Sequence, residues 1–156
     1  MAPAKPAQAP RGRKFFVGAD HAGFELKEAI KHYLLENGNE VQDFTEEFRE
    51  RIDFPPVAER VGRSVAGNKG TIGVLVCGTG LGMSIAANKV RGVRAALLYN
   101  DFAAEHAASH NDANVLVFAG RVMSFDETRR YIDTFFAHSF QGGKYAERNE
   151  YIEKIE

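Results

Sequence analysis

The sequence contains a single cysteine, carries almost no net charge and has no long apolar run. With one Cys among its 156 residues, neither an intrachain disulfide nor a cysteine-rich metal site can form. The formal net charge of −1 gives the chain no overall preference for nucleic acid or for an anionic membrane. No apolar stretch approaches the roughly 18–20 residues that cross a bilayer. The sequence therefore predicts a cytoplasmic protein with neither nucleic acid nor membrane as a partner.

Residues 1–13 differ in composition from the rest of the chain. They are rich in Ala and Pro, and they lack both the apolar core of a secretory signal and the serines of a transit peptide. We expect a disordered extension here, followed by a single domain over residues 14–156. The chain is 44% hydrophobic and 26% charged, which is an ordinary balance for one domain with a sizeable core.

Short apolar runs alternate with amphipathic stretches after residue 13. Strands are predicted over 15–19, 40–44, 72–76, 93–98 and 115–118, and helices over 23–37, 55–66, 80–89, 101–110, 124–136 and 145–155. Ser124 followed by Glu127 is typical of a helix N-terminus. Continuous apolar strands between helices indicate a parallel sheet covered on both faces. Right-handed crossovers then predict a three-layer α/β/α, doubly wound, Rossmann-like sheet of about five parallel strands.

The densest chemical signal directly follows the predicted strand 72–76. Cys77 precedes Gly78, Gly80 and Gly82, three glycines at alternate positions that lead into a helix. Such a turn lets backbone N–H groups converge on an anion, at the end of the sheet where ligands bind in this fold class. The even spacing resembles the Gly-x-Gly-x-x-Gly dinucleotide fingerprint only loosely, and residues 98–100 include no ribose-binding acid. A dinucleotide site is therefore disfavoured.

Cys77 has two interpretations when its position alone is considered. A lone Cys at the end of an apolar strand is often a small buried hydrophobe. Beside the N–H groups of a helix N-terminus, however, a thiolate is stabilised and can act as a base or a nucleophile. Position alone leaves both interpretations open.

Five stretches of the sequence carry a resemblance to a known family. They are GADHAGF at 18–24, DFP at 53–55, CGTGLGMSIAANK at 77–89, GVRA at 92–95 and HNDANVL at 110–116. In this order and spacing they resemble the B-type ribose-5-phosphate isomerases, a family that includes galactose-6-phosphate isomerase subunits. The similarity runs from about Lys14 to the C-terminus.

The resemblance implies an aldose–ketose isomerase that interconverts ribose 5-phosphate and ribulose 5-phosphate through a cis-enediol, with no metal and no cofactor. It implies that Cys77 is the base, that Thr79 relays a proton between substrate oxygens, and that His110 opens the sugar ring. The backbone N–H groups of residues 78–82 would stabilise the enediolate. The substrate-binding residues implied are Asp20, His21, Gly78, Gly80, Gly82, Asn111, Arg121, Lys144 and Arg148, of which the three cations would bind phosphate.

Several of these residues also have a structural alternative. Asp20 could be the N-cap of the helix that follows it. His110 could cap a helix C-terminus, where a cation is favourable. Lys144 could be a solvated surface residue.

The sequence departs from the family pattern at two positions. Phe54 stands where many members have Tyr, and Lys144 stands where Arg is common. Leu81 stands where members with Ser in place of Cys77 have a Glu base, so Cys77 is the best base in this turn. The departures at Phe54 and Lys144 leave another four- to six-carbon sugar phosphate open as the substrate.

The resemblance further implies a homodimer, or a tetramer, in which His110, Asn111 and Arg121 face Cys77 of the neighbouring chain. Two other functions compete with an isomerase. A transferase or hydrolase would use Cys77 as a nucleophile and form a covalent adduct. A non-catalytic sugar-phosphate binder would need no thiol base. The glycine turn and the three cations favour a phosphorylated substrate over the first alternative, and Cys77, Thr79 and His110 together disfavour the second.

Overall fold

A computed structural model describes residues 8–155 of the chain, in which five strands alternate with six helices. The strands are β1 (Lys14–Ala19), β2 (Glu40–Asp43), β3 (Ile72–Cys77), β4 (Ala95–Leu97) and β5 (Val115–Ala119). The helices are α1 (Phe24–Glu36), α2 (Phe54–Gly67), α3 (Leu81–Ala87), α4 (Asp101–Ser109), α5 (Phe125–Phe136) and α6 (Lys144–Glu153). Within residues 8–155, every helix is too short or too polar to reach across a bilayer.

All five strands are parallel and lie in the order β2-β1-β3-β5-β4. The predicted α/β/α sheet is therefore confirmed. The chain reverses its direction of travel across the sheet between β1 and β3, which is the point where such folds bind ligands. Ala19 pairs with Val76, and Cys77 pairs with Ala119, so that β1, β3 and β5 end at the same level.

Two apolar cores lie on the two faces of the sheet. One face is covered by α1, α4 and α5, and the other is covered by α2 and α3. All six residues of β3 are buried, because this central strand has neighbours on both edges and helices on both faces. The carboxyl end of β3 is consequently a fixed position in the molecule.

Local hydrogen bonds set the bounds of β4 and the starts of two helices. β4 was predicted over 93–98 but spans three residues, because the Arg94 N–H donates to the Asn114 side chain (2.7 Å) instead of to a strand. Ser124 accepts from the Glu127 N–H (3.2 Å), so its predicted N-cap role is confirmed. The N-cap of α4 is Asn100, which accepts from the Ala103 N–H at 2.7 Å.

Part of the segment predicted as an extension contacts the fold. Residues 1–7 lie outside the described residues. The Gly12 N–H donates to the Gly38 carbonyl (3.2 Å), and the Arg13 N–H donates to the Asn39 side chain (3.1 Å). Residues 12 and 13 are therefore held against the turn between α1 and β2. A domain boundary at residue 13 stays a prediction.

Candidate active site

Cys77 ends β3 with its thiol facing the glycine turn. The residue is 4% exposed, and its Sγ accepts a hydrogen bond from the Gly80 N–H at 3.2 Å. Gly80 has a φ of +76°, a left-handed conformation that brings its N–H back toward the sulfur. The same turn exposes Thr79, whose Oγ1 accepts from the Leu81 N–H at 3.2 Å. The turn therefore combines a buried sulfur, a donor directed at it and an exposed hydroxyl.

The three glycines of this turn each make room for a neighbouring side chain. A Cβ on Gly80 would lie 2.4 Å from Leu97 Cδ1, and a Cβ on Gly82 would lie 2.7 Å from Phe54 Cζ. Phe54, which departs from the family pattern, thus packs its ring directly on the turn. A Cβ on Gly78 would lie 3.3 Å from Arg121 Cδ. Close packing of the turn explains why glycine stands at these positions.

Arg121 reaches the turn through the backbone that follows β5. The Gly120 N–H donates to the Cys77 carbonyl (2.8 Å), and the Arg121 N–H donates to the Gly78 carbonyl (3.0 Å). These two bonds fix the exposed Arg121 side chain beside Gly78 of its own chain. Arg121 therefore lies beside the Cys77 turn of its own chain, and its predicted place with His110 and Asn111, facing Cys77 of a neighbouring chain, stays a prediction.

Asp20 and His21 follow β1, next to the same turn. Asp20 is 8% exposed, its N–H donates to the Val76 carbonyl (3.2 Å), and its Oδ1 accepts from the Gly23 N–H (2.9 Å). The N-cap of α1 is Gly23, so Asp20 closes the turn before the helix rather than capping the helix itself. His21 is exposed, and its Nδ1 lies 3.3 Å from both the carbonyl and the N–H of Ile52.

His110 belongs to a separate cluster at the end of α4. Its ring stacks on Tyr145, with centroids 4.0 Å apart and planes at 13°, and it meets His106 edge-on at 4.5 Å. The Lys144 ammonium and the Arg148 guanidinium lie 5.2 and 5.6 Å from the centroid of the same Tyr145 ring. His110 occupies the C-cap position of α4, as its structural alternative required, and its role in ring opening stays a prediction.

Electrostatics in this cluster favour the neutral imidazole. Partial burial is the largest cause, and the nearby His106, Lys144 and Arg148 add to it, so that the pKa of His110 lies below its ordinary value. The Asn149 side chain donates to the Asn111 carbonyl (2.9 Å), which ties α6 to the segment after His110. His110, Asn111, Lys144 and Arg148 therefore form one cationic cluster.

The two groups of predicted site residues lie at opposite edges of the sheet. Cys77 is the last residue of β3, and Asp20, His21 and Arg121 come shortly after β1 and β5, so all four lie at the carboxyl edge. His110 ends a helix that runs back toward the start of β5, where the Gly73 N–H bonds to the Asn114 carbonyl. The six residues of β3 separate the two edges by about 17 Å. Within one chain, the structure does not bring Cys77 and His110 together.

Sequence reasoning missed two contacts of the candidate site and one buried cation outside it. Ile52 meets His21 through its backbone, which no side-chain pattern could have indicated. Tyr145 was seen only as the start of a helix, although an aromatic residue next to Lys144 could have suggested a ring partner for His110. Lys27 lies buried in α1 among residues that were assigned to the helix on apolar spacing alone.

Comparison with known proteins finds a matching family and several similar proteins. The model of the family described as Ribose/Galactose Isomerase matches residues 15–152. The chain is 40% identical over 144 residues to ribose-5-phosphate isomerase B of Escherichia coli (strain K12), an alignment that covers 92% of this chain and 97% of that protein.

Two solved structures are similar along nearly their whole lengths. A ribose 5-phosphate isomerase from Thermotoga maritima has a TM-score of 0.89 and 43% identity, with 93% of this chain and 100% of that chain covered. Ribose-5-phosphate isomerase B from Mycoplasma genitalium, solved with bound ribulose-5-phosphate, has a TM-score of 0.88 and 34% identity, with 93% and 97% covered.

Proposed function

The chain belongs to the Ribose/Galactose Isomerase family and is an aldose–ketose isomerase of the ribose-5-phosphate isomerase type, and we propose that it interconverts ribose 5-phosphate and ribulose 5-phosphate through a cis-enediol. One observation carries the mechanism: the Cys77 sulfur lies in the glycine turn at the carboxyl edge, with the Gly80 N–H directed at it. This donor stabilises negative charge on sulfur, as a thiolate base requires.

Cys77 is the base of the proposed reaction. The thiolate takes the proton from C2 of the open-chain aldose, and the C1 carbonyl oxygen receives the electron pair as the enediol forms. Return of the proton from sulfur to C1 gives the ketose. Thr79 is exposed beside Cys77 and moves the second proton between O1 and O2.

Backbone N–H groups of the turn stabilise the negative charge of the enediolate. Two of these groups are already engaged: the Gly80 N–H donates to Cys77 Sγ, and the Leu81 N–H donates to Thr79 Oγ1. We therefore assign the enediolate oxygens to the N–H groups of Gly78, Thr79 and Gly82.

A second copy of the chain completes the proposed site. Ring opening by His110 and proton transfer by Cys77 must act on one sugar, yet these residues lie at opposite edges of the sheet in one chain. A homodimer, or a tetramer built from it, places His110 and Asn111 of one chain on the sugar beside Cys77 of the other. The lowered pKa of His110 supplies a neutral imidazole to accept the hydroxyl proton.

Exposed apolar side chains support such a dimer. Five of them surround the carboxyl edge, and each is more than half exposed: Leu81, Ile85, Tyr99, Phe102 and Val122. A monomer rarely leaves an apolar patch of this kind in water, and a second subunit would cover it.

The phosphate group is assigned to cations from both chains. His21 and Arg121 flank the turn from the side of Cys77, and Lys144 and Arg148 accompany His110. Asp20 is positioned for a sugar hydroxyl. The cytoplasm is part of this proposal, because the relatives are metabolic enzymes.

Phe54 favours one alternative substrate class. Its ring lies on Gly82, where a tyrosine would add a hydroxyl to the site. A different four- to six-carbon sugar phosphate is therefore the second candidate.

The test measures conversion of ribose 5-phosphate to ribulose 5-phosphate by the wild type and by Cys77→Ala, each with and without EDTA. We expect wild-type turnover that survives chelation and a loss of at least about a hundredfold in the variant, as for removal of a general base. Turnover of four- or six-carbon sugar phosphates but not of ribose 5-phosphate would contradict the assignment of ribose 5-phosphate as the substrate. Unchanged turnover in Cys77→Ala would show that Cys77 is not the base. Loss of wild-type turnover on chelation would show that the reaction needs a metal.

A further inference from the structure

Lys27 is a fully buried cation that the proposed chemistry does not use. Its side chain is 0% exposed, and its ammonium donates to Asp43 Oδ2 at 2.8 Å, to the Thr45 carbonyl at 2.7 Å and to Glu28. The ammonium also lies 4.0 Å from the centroid of the Phe24 ring. Burial of a charge is costly unless it is paired and hydrogen-bonded, so these contacts hold Lys27 in one place.

The partner of Lys27 is a carboxylate that is equally buried. The Asp43 side chain is 1% exposed, and it also accepts from Lys31 (3.1 Å) and from the Thr45 N–H (2.8 Å). Burial on its own would raise the pKa of Asp43, but the hydrogen bonds from Lys27, the Thr45 N–H and Lys31 outweigh it and hold that pKa below the ordinary value. Asp43 is therefore ionised at neutral pH.

The ion pair lies at the start of residues 44–53, which connect β2 to α2 and are called here the β2–α2 loop. At its start the Phe44 N–H donates to the Val17 carbonyl (2.9 Å), and the Phe44 and Ile52 side chains pack against the core beneath α2 and α3. Three further contacts attach the loop to the body. Thr45 Oγ1 accepts from the Ala19 N–H at 3.0 Å, and the Phe48 ring packs edge-on against Phe24 at 5.5 Å. The Ile52 backbone meets the His21 ring at 3.3 Å. Lys27 contacts the first attachment directly and the second through Phe24.

Apart from the Phe48 contact, the middle of the loop is exposed to solvent. Residues 46–51 are exposed, and the loop bounds a cavity of about 720 Å³ that is lined by Thr45, Ile52 and Arg60 among others. An exposed segment of this kind depends on the contacts at its two ends and at Phe48 for its position. Its last attachment is also a contact of a candidate substrate-binding residue, His21.

We propose that Lys27 is a positioning residue that holds the β2–α2 loop in place and thereby orients the His21 imidazole toward the phosphate end of the substrate. Orientation of His21 rests on the geometry alone, and its effect on substrate binding rests on the proposed function. Ala19 directly precedes Asp20, so the hydrogen bond that the Ala19 N–H donates to Thr45 Oγ1 also holds Asp20, the other candidate substrate-binding residue after β1.

The double variant Lys27→Met/Asp43→Asn tests the proposal. Removing both charges avoids an unpaired buried carboxylate, and a buried pair can often be replaced in this way with little loss of stability. The amide introduced by Asp43→Asn keeps an oxygen for the Thr45 N–H, whereas the Thr45 carbonyl loses the Lys27 donor. The matched control is Lys31→Met, because Lys31 contacts the same carboxylate and no other anchor of the loop.

Three measurements distinguish a role in positioning the β2–α2 loop from a general loss of stability. We expect amide hydrogen exchange over residues 44–53 to accelerate at least about tenfold in the double variant while β3 keeps its protection. The imidazole ¹⁵N shifts of His21 should change. The KM for ribose 5-phosphate should rise about tenfold with kcat within about threefold, which is the pattern of lost uniform binding. Lys31→Met should leave all three near the wild-type values.

The outcomes distinguish this proposal from the proposed function. Unchanged loop exchange and unchanged His21 shifts in a folded double variant would overturn the positioning role, whatever the enzyme turns over. If amide protection in β3 fell as much as in the loop, Lys27 would be a general stabiliser of the fold, and this result would also overturn the positioning role. Altered exchange and shifts with an unchanged KM would overturn the link from His21 to the substrate. Absence of turnover in the wild type itself would instead count against ribose 5-phosphate.

Discussion

The carboxyl and amino edges of the sheet hold their polar residues in different ways. At the carboxyl edge, Cys77 ends β3, and Asp20 and Arg121 lie within two residues of the ends of β1 and β5. Backbone hydrogen bonds between those strand ends fix them. At the amino edge, His110 is held by ring stacking between the ends of two helices, and α6 has no buried residue. The first arrangement is built into the core, whereas the second lies on the surface and has an open side.

In the reaction proposed above, this difference lets one small domain serve two separate steps. A base that moves a proton between adjacent carbons needs a rigid site, and the end of a fully buried strand provides one. Residues that open a ring and hold a phosphate can be brought by another copy of the chain, provided that they lie on an exposed surface. The two edges can therefore be disabled and tested as separate units.

The largest effect is expected from variants that disable one edge each. Cys77→Ala and His110→Ala should each lose activity, by about a thousandfold for the former, since both remove a proton-transfer group. A mixed dimer of the two, purified through two different tags, has one site in which both residues are intact. We expect it to recover about half of the wild-type turnover, because a two-fold dimer carries two equivalent sites.

The control for this recovery is a mixed dimer of Cys77→Ala with the double variant Cys77→Ala/His110→Ala. It contains no intact site under any arrangement and should remain inactive. If the first mixed dimer is equally inactive, each site draws both residues from one chain, and the two edges do not cooperate across subunits.

The second prediction compares a buried cation near the carboxyl edge with an exposed cation at the amino edge. Lys27→Met leaves the Asp43 carboxylate without its main partner and should lower the free energy of unfolding by about 3 kcal/mol. Lys144→Met removes an exposed charge and should change it by less than about 0.5 kcal/mol. Urea unfolding monitored by circular dichroism measures both, and equal losses would contradict the difference between the edges.

The loss in Lys27→Met should also depend on pH. Because the folded-state pKa of Asp43 is depressed, its ion pair contributes stability above the unfolded carboxyl pKa of about 3.9. That contribution disappears as the pH falls through the lower folded-state pKa. The difference in the free energy of unfolding between wild type and Lys27→Met should therefore be largest at neutral pH and should shrink below about pH 4. If the difference in the free energy of unfolding between wild type and Lys27→Met did not change with pH, the loss would come from packing alone.

The third prediction uses two glycines with the same backbone conformation. Gly80 has a φ of +76° and Gly70 a φ of +84°, but a Cβ on Gly80 would meet Leu97, whereas a Cβ on Gly70 would meet nothing within 4 Å. Gly70→Ala should cost about 1 kcal/mol from backbone strain and leave kcat unchanged. Gly80→Ala should cost about 2 kcal/mol and lower kcat about tenfold, as its N–H moves away from the Cys77 sulfur.

Thermal unfolding and initial rates for the two alanine variants decide this point. A kcat that falls equally in both would mean that the turn is sensitive to stability in general. A kcat preserved in Gly80→Ala would mean that the N–H directed at the sulfur is not needed.

The same contrast between the edges accounts for what the sequence could predict. The sheet, its parallel direction and the placement of Asp20 and Cys77 follow from apolar runs and from the rule that strand ends share an edge. β4 is shorter than predicted because the Arg94 N–H donates to the Asn114 side chain. The two residues are far apart in the sequence, so a local pattern does not indicate this bond. The stack of His110 on Tyr145 was missed for the same reason.

Arg121 illustrates where a family resemblance goes beyond what it can support. The resemblance implies that it binds phosphate, but its place beside the Cys77 turn of its own chain depends on two backbone bonds from residues 120 and 121 to that turn. Those bonds need the register of β5 against β3, which only the folded chain defines.

The smallest effect is expected at the imidazole of His110. Its pKa lies below the ordinary value because of partial burial, then His106, and then the positive charges of Lys144 and Arg148. Lys144→Gln removes one of those charges, which makes the imidazolium less unfavourable, so the pKa of His110 should rise toward its ordinary value. A titration of the histidine ring protons by NMR measures the change.

Arg63→Gln is the control, since Arg63 pairs with Glu59 on α2, a helix that covers the other face of the sheet. It should leave the pKa of His110 unchanged. If neutral His110 is the group that opens the sugar ring, the acid limb of the kcat/KM profile should move to higher pH in Lys144→Gln, in step with the NMR titration. An acid limb that stays in place while the imidazole pKa rises would assign that limb to another group and would leave His110 as a structural helix cap.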